Sequence, residues 1–133
     1  MGALARVEDP ELVRKLQAAV LEKKFKGTEA VGIVFRQMFR PATTELTYAW
    51  LKKNEANVIE MIPETFRANI VPGLGGAFCS TARAVEWREF ILSHADKMPG
   101  YERPLAQATE SIQLCAALRK AKATELLATF ENY

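Results

Sequence analysis

The chain has one histidine, His94, and two cysteines, Cys79 and Cys115, among its 133 residues. That scarcity excludes most metal and thiol chemistry. A catalytic zinc site usually takes two histidines one helical turn apart with a glutamate between them, and a thiol nucleophile needs a histidine within reach. Neither set can be drawn from His94 alone, so no catalytic and no metal-ligating residue is expected in this chain. His94 closes an amphipathic stretch, where a hydrogen-bonding ring suits the free carbonyls of a helix end. Cys79 and Cys115 stand far apart in apolar contexts and read as free, buried thiols in preference to a disulfide.

An excess of charge of one sign is also missing. The 18 basic and 16 acidic residues leave a net charge of +2, which gives no electrostatic footprint for nucleic acid. The densest basic run, Lys23, Lys24 and Lys26, precedes Gly27 and suits the carbonyl end of a helix dipole. No run approaches the ~18 apolar residues of a membrane span, and the N-terminus lacks the order of a secretory signal. No membrane partner is expected, and the expected location is cytoplasmic. No stretch alternates apolar and polar residues well enough for a strand. The glycines of Pro72 to Gly76, PGLGG, follow a helical pattern and have no lysine after them. They read as a helix kink or a close helix approach, not as a phosphate loop.

What the chain does have is helical periodicity punctuated by Pro and Gly. Its length suits one domain, 1–133, with a single core. A first helix is expected to start at Asp9-Pro10, carry Leu12, Leu16, Ala19 and Val20 on one face, and stop at Gly27. Thr28 then caps a second, bearing Val31, Val34, Phe35 and Met38, which ends before Pro41 and pairs with the first as a hairpin. Thr43 and Thr44 cap a third of near 19 residues, ~19 by its run to Pro63. A fourth follows with Phe66, Ile70 and Leu74 inward, interrupted at Pro72. Ser80 or Thr81 caps a fifth, with Trp87, Phe90, Ile91 and His94 on one face. The longest regular pattern, Pro99 to Lys120, puts Tyr101, Leu105, Ala108, Ile112 and Cys115 on one face. A last segment, Ala123 to Phe130, either continues that helix or folds back. The fold class is therefore all-α, with about six or seven helices in antiparallel hairpins that either close as a bundle or stack as a HEAT-like superhelix. Trp50, Trp87, Phe66 and Phe90 fall at core positions of this pattern.

Four motifs in register carry a resemblance. Asp9-Pro10-Glu11-Leu12-Val13, Ala49-Trp50-Leu51-Lys52 with Asn54, Phe78-Cys79-Ser80 leading to Glu89-Phe90, and Gly100-Tyr101-Glu102-Arg103 leading to Gln107 and Glu110-Ser111-Ile112 resemble the C-terminal helical domain of M1 zinc aminopeptidases. The similarity is to the puromycin-sensitive and endoplasmic-reticulum branch. It covers most of Asp9 to about Arg119. The family's His-Glu-x-x-His zinc motif and its Gly-x-Met-Glu-Asn substrate motif are absent from this chain, so no catalytic residue carries over and any zinc belongs to the catalytic domain of a parent protein.

The resemblance implies a HEAT-like stack of hairpins, an excised domain or separate subunit, whose concave side faces an M1 catalytic domain and helps enclose a peptide cavity. Its implied partners are that catalytic domain and the peptide substrate, and an excised copy is expected to expose apolar surface through which it can form an artefactual homodimer. Arg103 is the first candidate for a peptide-carboxylate or interdomain contact, because a guanidinium recognises carboxylates bidentately. Arg67, Arg83 and Arg88 are further candidates. A stand-alone helical-repeat scaffold that binds a protein partner is the alternative reading.

Overall fold

A computed structural model describes residue 3 and residues 6–132. Among the described residues there are seven α-helices, two short 3-10 turns and no strand. The helices are α1 (Pro10–Leu21), α2 (Gly27–Met38), α3 (Thr44–Lys53), α4 (Glu55–Met61), α5 (Glu64–Gly73), α6 (Thr81–Ser93) and α7 (Glu102–Glu131). They form two compact units, Met1–Ile70 and Val71–Tyr133, with the division inside α5. The all-α class read from the sequence is the class observed.

In the first unit, the Asp9 carboxylate accepts hydrogen bonds from the amides of Glu11 and Leu12 at 3.0 and 3.1 Å. With Pro10 at the first helical position, this fixes the start of α1. Leu16 and Val20 of α1 meet Ala30, Ile33 and Val34 of α2 in one buried cluster, against which Phe25, Trp50 and Met61 pack. The expected hairpin of the first two helices is therefore present. Its turn is not where the sequence placed it. Lys23 adopts φ 59°, and the amides of Lys24 and Lys23 bond the carbonyls of Ala19 and Val20, a Schellman closure that ends α1 well before Gly27. α2 then begins at Gly27 itself, with the Lys26 amide donating to the Glu29 carboxylate at 3.2 Å, so Thr28 does not cap it. A side chain in the left-handed region costs ~1–2 kcal/mol, which glycine avoids. Lys23→Gly is expected to raise the unfolding free energy by about 1 kcal/mol; an unchanged or lower urea midpoint would show that the turn is not held this way.

The third helix is broken. Asn54 takes φ −118°, ψ 26°, and its Nδ2 donates to the Trp50 carbonyl at 2.9 Å. A short amide side chain competes with the helix ladder in this manner, and α4 restarts one residue later. Thr43 and Thr44 do not cap α3 with their hydroxyls. They turn back to α2: Thr43 Oγ1 donates to the Gln37 carbonyl at 2.6 Å and Thr44 Oγ1 to the Met38 carbonyl at 2.8 Å, satisfying carbonyls left free where Pro41 stops that helix. Phe66, expected inward, is 56% exposed, whereas Trp87 is fully buried.

The second unit is built around Trp87. Its indole Nε1–H donates to the Pro72 carbonyl at 3.0 Å, a group freed as α5 ends and a 3-10 turn, Leu74–Ala77, takes over. Phe78 and Phe90 flank the indole, with ring centroids at 5.8 and 5.2 Å. Gly75 lies directly against it: a Cβ there would sit 2.1 Å from Nε1. The glycine-rich stretch is thus a close packing site, as the sequence suggests. Ser80 Oγ accepts from the Arg83 amide at 3.2 Å and caps α6. After the turn at Gly100, φ 92°, α7 buries Leu105, Ala108 and Ile112 against α6 and the 3-10 turn. It does not stop near Lys120 but continues without a fold-back to Glu131, 30 residues in all.

The cysteines overturn the free-thiol expectation. Cys79 and Cys115 are bonded to each other as a disulfide. Cys79 is half-buried and Cys115 exposed, so neither is the buried hydrophobe that the sequence suggests. Cys115 lies one turn beyond Ile112, and the bond ties α7 to the segment preceding α6 where the buried face of α7 ends.

Candidate functional site

The four arginines singled out in the sequence have different environments. The Arg67 guanidinium is turned onto the end of α4, its Nε–H shared between the carbonyls of Ile59 and Ile62 at 2.9 Å each. A cation there satisfies helix-end carbonyls and opposes the negative end of the dipole. Arg83 donates to Glu86 at 2.7 Å and lies 5.5 Å from the centroid of the Phe78 ring. Both therefore brace their own unit. Arg103 is exposed on the first turn of α7, and Arg88 is exposed on α6.

Arg88 belongs to a surface cleft of about 390 Å³ between α6 and α7. Arg88 and Leu92, four residues apart, form the α6 wall. Glu102, Leu105, Thr109 and Glu110 recur at helical spacing along the α7 wall, and Tyr101 just before the helix also lines the cleft. The floor is apolar at Leu105, which is buried, while Arg88 faces a wall carrying two carboxylates. Arg103 does not line the cleft. The acidic wall was not singled out from the sequence; its signal is the i, i+8 pair Glu102 and Glu110, in phase with Leu105 and Thr109.

This cleft can bind and orient, but it has no catalytic set. The Thr109 hydroxyl is committed to the Leu105 carbonyl at 2.8 Å. His94, which does not line the cleft, ends α6 with its Nδ1 2.8 Å from the Phe90 carbonyl, the helix-end role read from the sequence. Mixed charge above an apolar floor suits an extended chain segment that offers a carboxylate or carbonyl to Arg88 and a cation or amide to the acidic wall. A second cavity, about 450 Å³, opens in the first unit beside Lys23, Phe25, Asn57, Glu60 and Met61. It likewise sets one lysine and one glutamate around apolar walls. Among the described residues, no group of three His, Cys, Asp or Glu is placed to hold a metal ion, and no helix is long and apolar enough to cross a membrane.

Residues 1–114 match the family model described as ERAP1-like C-terminal domain. No curated protein and no solved structure matches the chain. The matched span takes in the first unit and the second as far as the residue before Cys115, including all four arginines and both cavities. By that match, over most of its length, the chain belongs to the ERAP1-like C-terminal domain family.

Proposed function

We propose that this domain forms a non-catalytic wall of the peptide cavity in an M1-type zinc aminopeptidase, limiting which peptides enter, contacting the distal part of a bound peptide and taking part in closure. The family match over residues 1–114 carries this reading. In the assembled enzyme the hairpins continue a HEAT-like superhelix whose concave side faces the catalytic domain. That domain holds the zinc and removes N-terminal residues. With one histidine in the sequence, this chain's residues are assigned binding and orientation, and the zinc is assigned to the catalytic domain. The Cys79–Cys115 bond favours an oxidising compartment over the cytoplasm, where thiols are kept reduced.

Arg88 contacts the carboxylate or carbonyls of the distal peptide, and Arg103, exposed and outside the cleft, meets the catalytic domain. In the assembled aminopeptidase, Arg88→Ala is expected to raise KM for peptides of about ten residues roughly tenfold, the ~1.4 kcal/mol of one charge-assisted contact. kcat and the hydrolysis of single-residue amides should not change. Steady-state kinetics over a peptide-length series checks this, and an R88A enzyme with wild-type KM on the long peptides would remove the cleft from the account.

A further inference from the structure

The apolar face that seats α7 in the second unit does not end where the unit ends. Leu105, Ala108 and Ile112 are buried. The same three- and four-residue spacing then runs on through Ala116, Arg119, Ala123, Leu126 and Phe130, with Leu127 beside them. At 100° per residue, positions 116 to 130 of this series fall within an arc of about 100°, the width of a core-facing stripe. Yet residues 117–132 are all exposed, with Leu126 at 56%, Leu127 at 63% and Phe130 at 73%. The segment is a helix of ~24 Å with a packing face and nothing packed on it. It also lies beyond the span matched by the family, residues 1–114.

Charge order indicates what fits. Arg119, Lys120 and Lys122 occupy the first half of the segment, Glu125 and Glu131 the second. A second copy laid antiparallel brings each basic half against an acidic half, whereas a parallel copy sets like charges side by side. With the crossing midway between Thr124 and Glu125, Ala123 of each copy faces Leu126 of the other, a small residue opposite a large one. Arg119 then comes over the Phe130 ring, a cation–π arrangement that gives the one charged residue in the stripe a partner. Lys122 falls within a turn of Glu125, and Arg119 and Lys120 within a turn of Glu131.

We propose that residues 116–131 of α7 are a self-association segment through which two copies of this chain pair antiparallel. The interface is small, which places the dimer in the weak, micromolar class. Sedimentation equilibrium of the full chain between about 5 and 200 μM tests it, with Leu126→Glu/Phe130→Glu and Leu118→Glu as the variants. All three residues are exposed in the single copy, so neither variant disturbs the core, and Leu118 lies on another face of the same helix. The expected result is a concentration-dependent dimer for the unsubstituted chain and for L118E, and at least tenfold weaker association for L126E/F130E. Lys120→Glu/Lys122→Glu should weaken self-association, and mixing it with Glu125→Lys/Glu131→Lys should restore it. A chain that stays monomeric throughout, or a dimer lost equally with L118E, would overturn the proposal.

Discussion

Replacing Cys79 and Cys115 together by serine is expected to lower the unfolding free energy of the chain by about 4 kcal/mol. The two residues are 36 apart in sequence, and closing a loop of that size removes conformational freedom from the unfolded chain worth ~4 kcal/mol on the chain-entropy model. Reduction of the unsubstituted chain should reproduce the loss, because both act by opening the same loop. The measurement is urea unfolding followed by tryptophan fluorescence, with oxidised, reduced and doubly substituted protein compared. Trp87 and Trp50 are the only tryptophans and lie in different units, so single variants at each can assign the shift to the second unit, which holds the bond. A difference below about 1 kcal/mol would mean that the unfolded chain is already constrained near these residues.

The second large effect is expected at Gly75. An alanine Cβ would stand 2.1 to 2.6 Å from three atoms of the Trp87 indole, and that ring is fully buried with its N–H committed to the Pro72 carbonyl. The indole cannot swing aside without losing this hydrogen bond and its packing against Phe78 and Phe90. Overpacking combined with a lost buried hydrogen bond gives about 3 kcal/mol of destabilisation for Gly75→Ala. Gly73 provides the control within the same glycine-rich stretch. A Cβ there meets no atom within 4 Å, and its backbone is right-handed helical, φ −61°, ψ −27°, so Gly73→Ala is expected to be neutral or stabilising by up to ~1 kcal/mol. Equal loss from both substitutions would show that the stretch matters for backbone freedom and not for the approach of Trp87.

These two cases also mark where sequence reasoning succeeds and where it stops. Two of the helix starts are legible from a polar cap, because the physics is local: Asp9 before Pro10 and Ser80 before α6 act on amides two or three residues away, whereas Thr28, Thr43 and Thr44 do not cap their helices with their side chains. His94 at the end of α6 is legible for the same reason. The glycines after Pro72 can be read as close packing, but that Gly75 in particular meets Trp87 requires knowing that α6 returns across the 3-10 turn. The disulfide is illegible on the same ground. Two cysteines 36 residues apart approach only because α7 folds back on α6, and apolar neighbours made both look buried. Lys23 and Asn54 are missed through chemistry that competes with stronger local signals: Gly27 outranks Lys23 as a helix stop, and nothing in the periodicity of residues 44–61 records that the Asn54 side chain donates to the Trp50 carbonyl.

For the candidate site, the residue types are legible and their grouping is not. Arginine is the correct type for a carboxylate, but a guanidinium near a helix end has a closer use. Arg67 serves the carbonyls of Ile59 and Ile62, and Arg83 serves Glu86, five and three residues from the respective arginines at the nearest. Arg88 differs because its helical neighbour Leu92 lines an open cleft with it. Its acidic counterparts come from α7, and only the pairing of the two helices shows that they line one cleft with it.

The role proposed for the chain is control of peptide access without chemistry. It is tested most directly by titrating the purified chain into the zinc-bearing catalytic domain of the proposed M1-type parent and following cleavage of a peptide series from a single-residue amide to about sixteen residues. The account predicts no hydrolysis by the chain alone, saturable binding to the catalytic domain, and a change in KM that grows with peptide length while the single-residue amide is unaffected. A catalytic domain that handles every length identically with and without the chain, or peptide hydrolysis by the chain by itself, would contradict it.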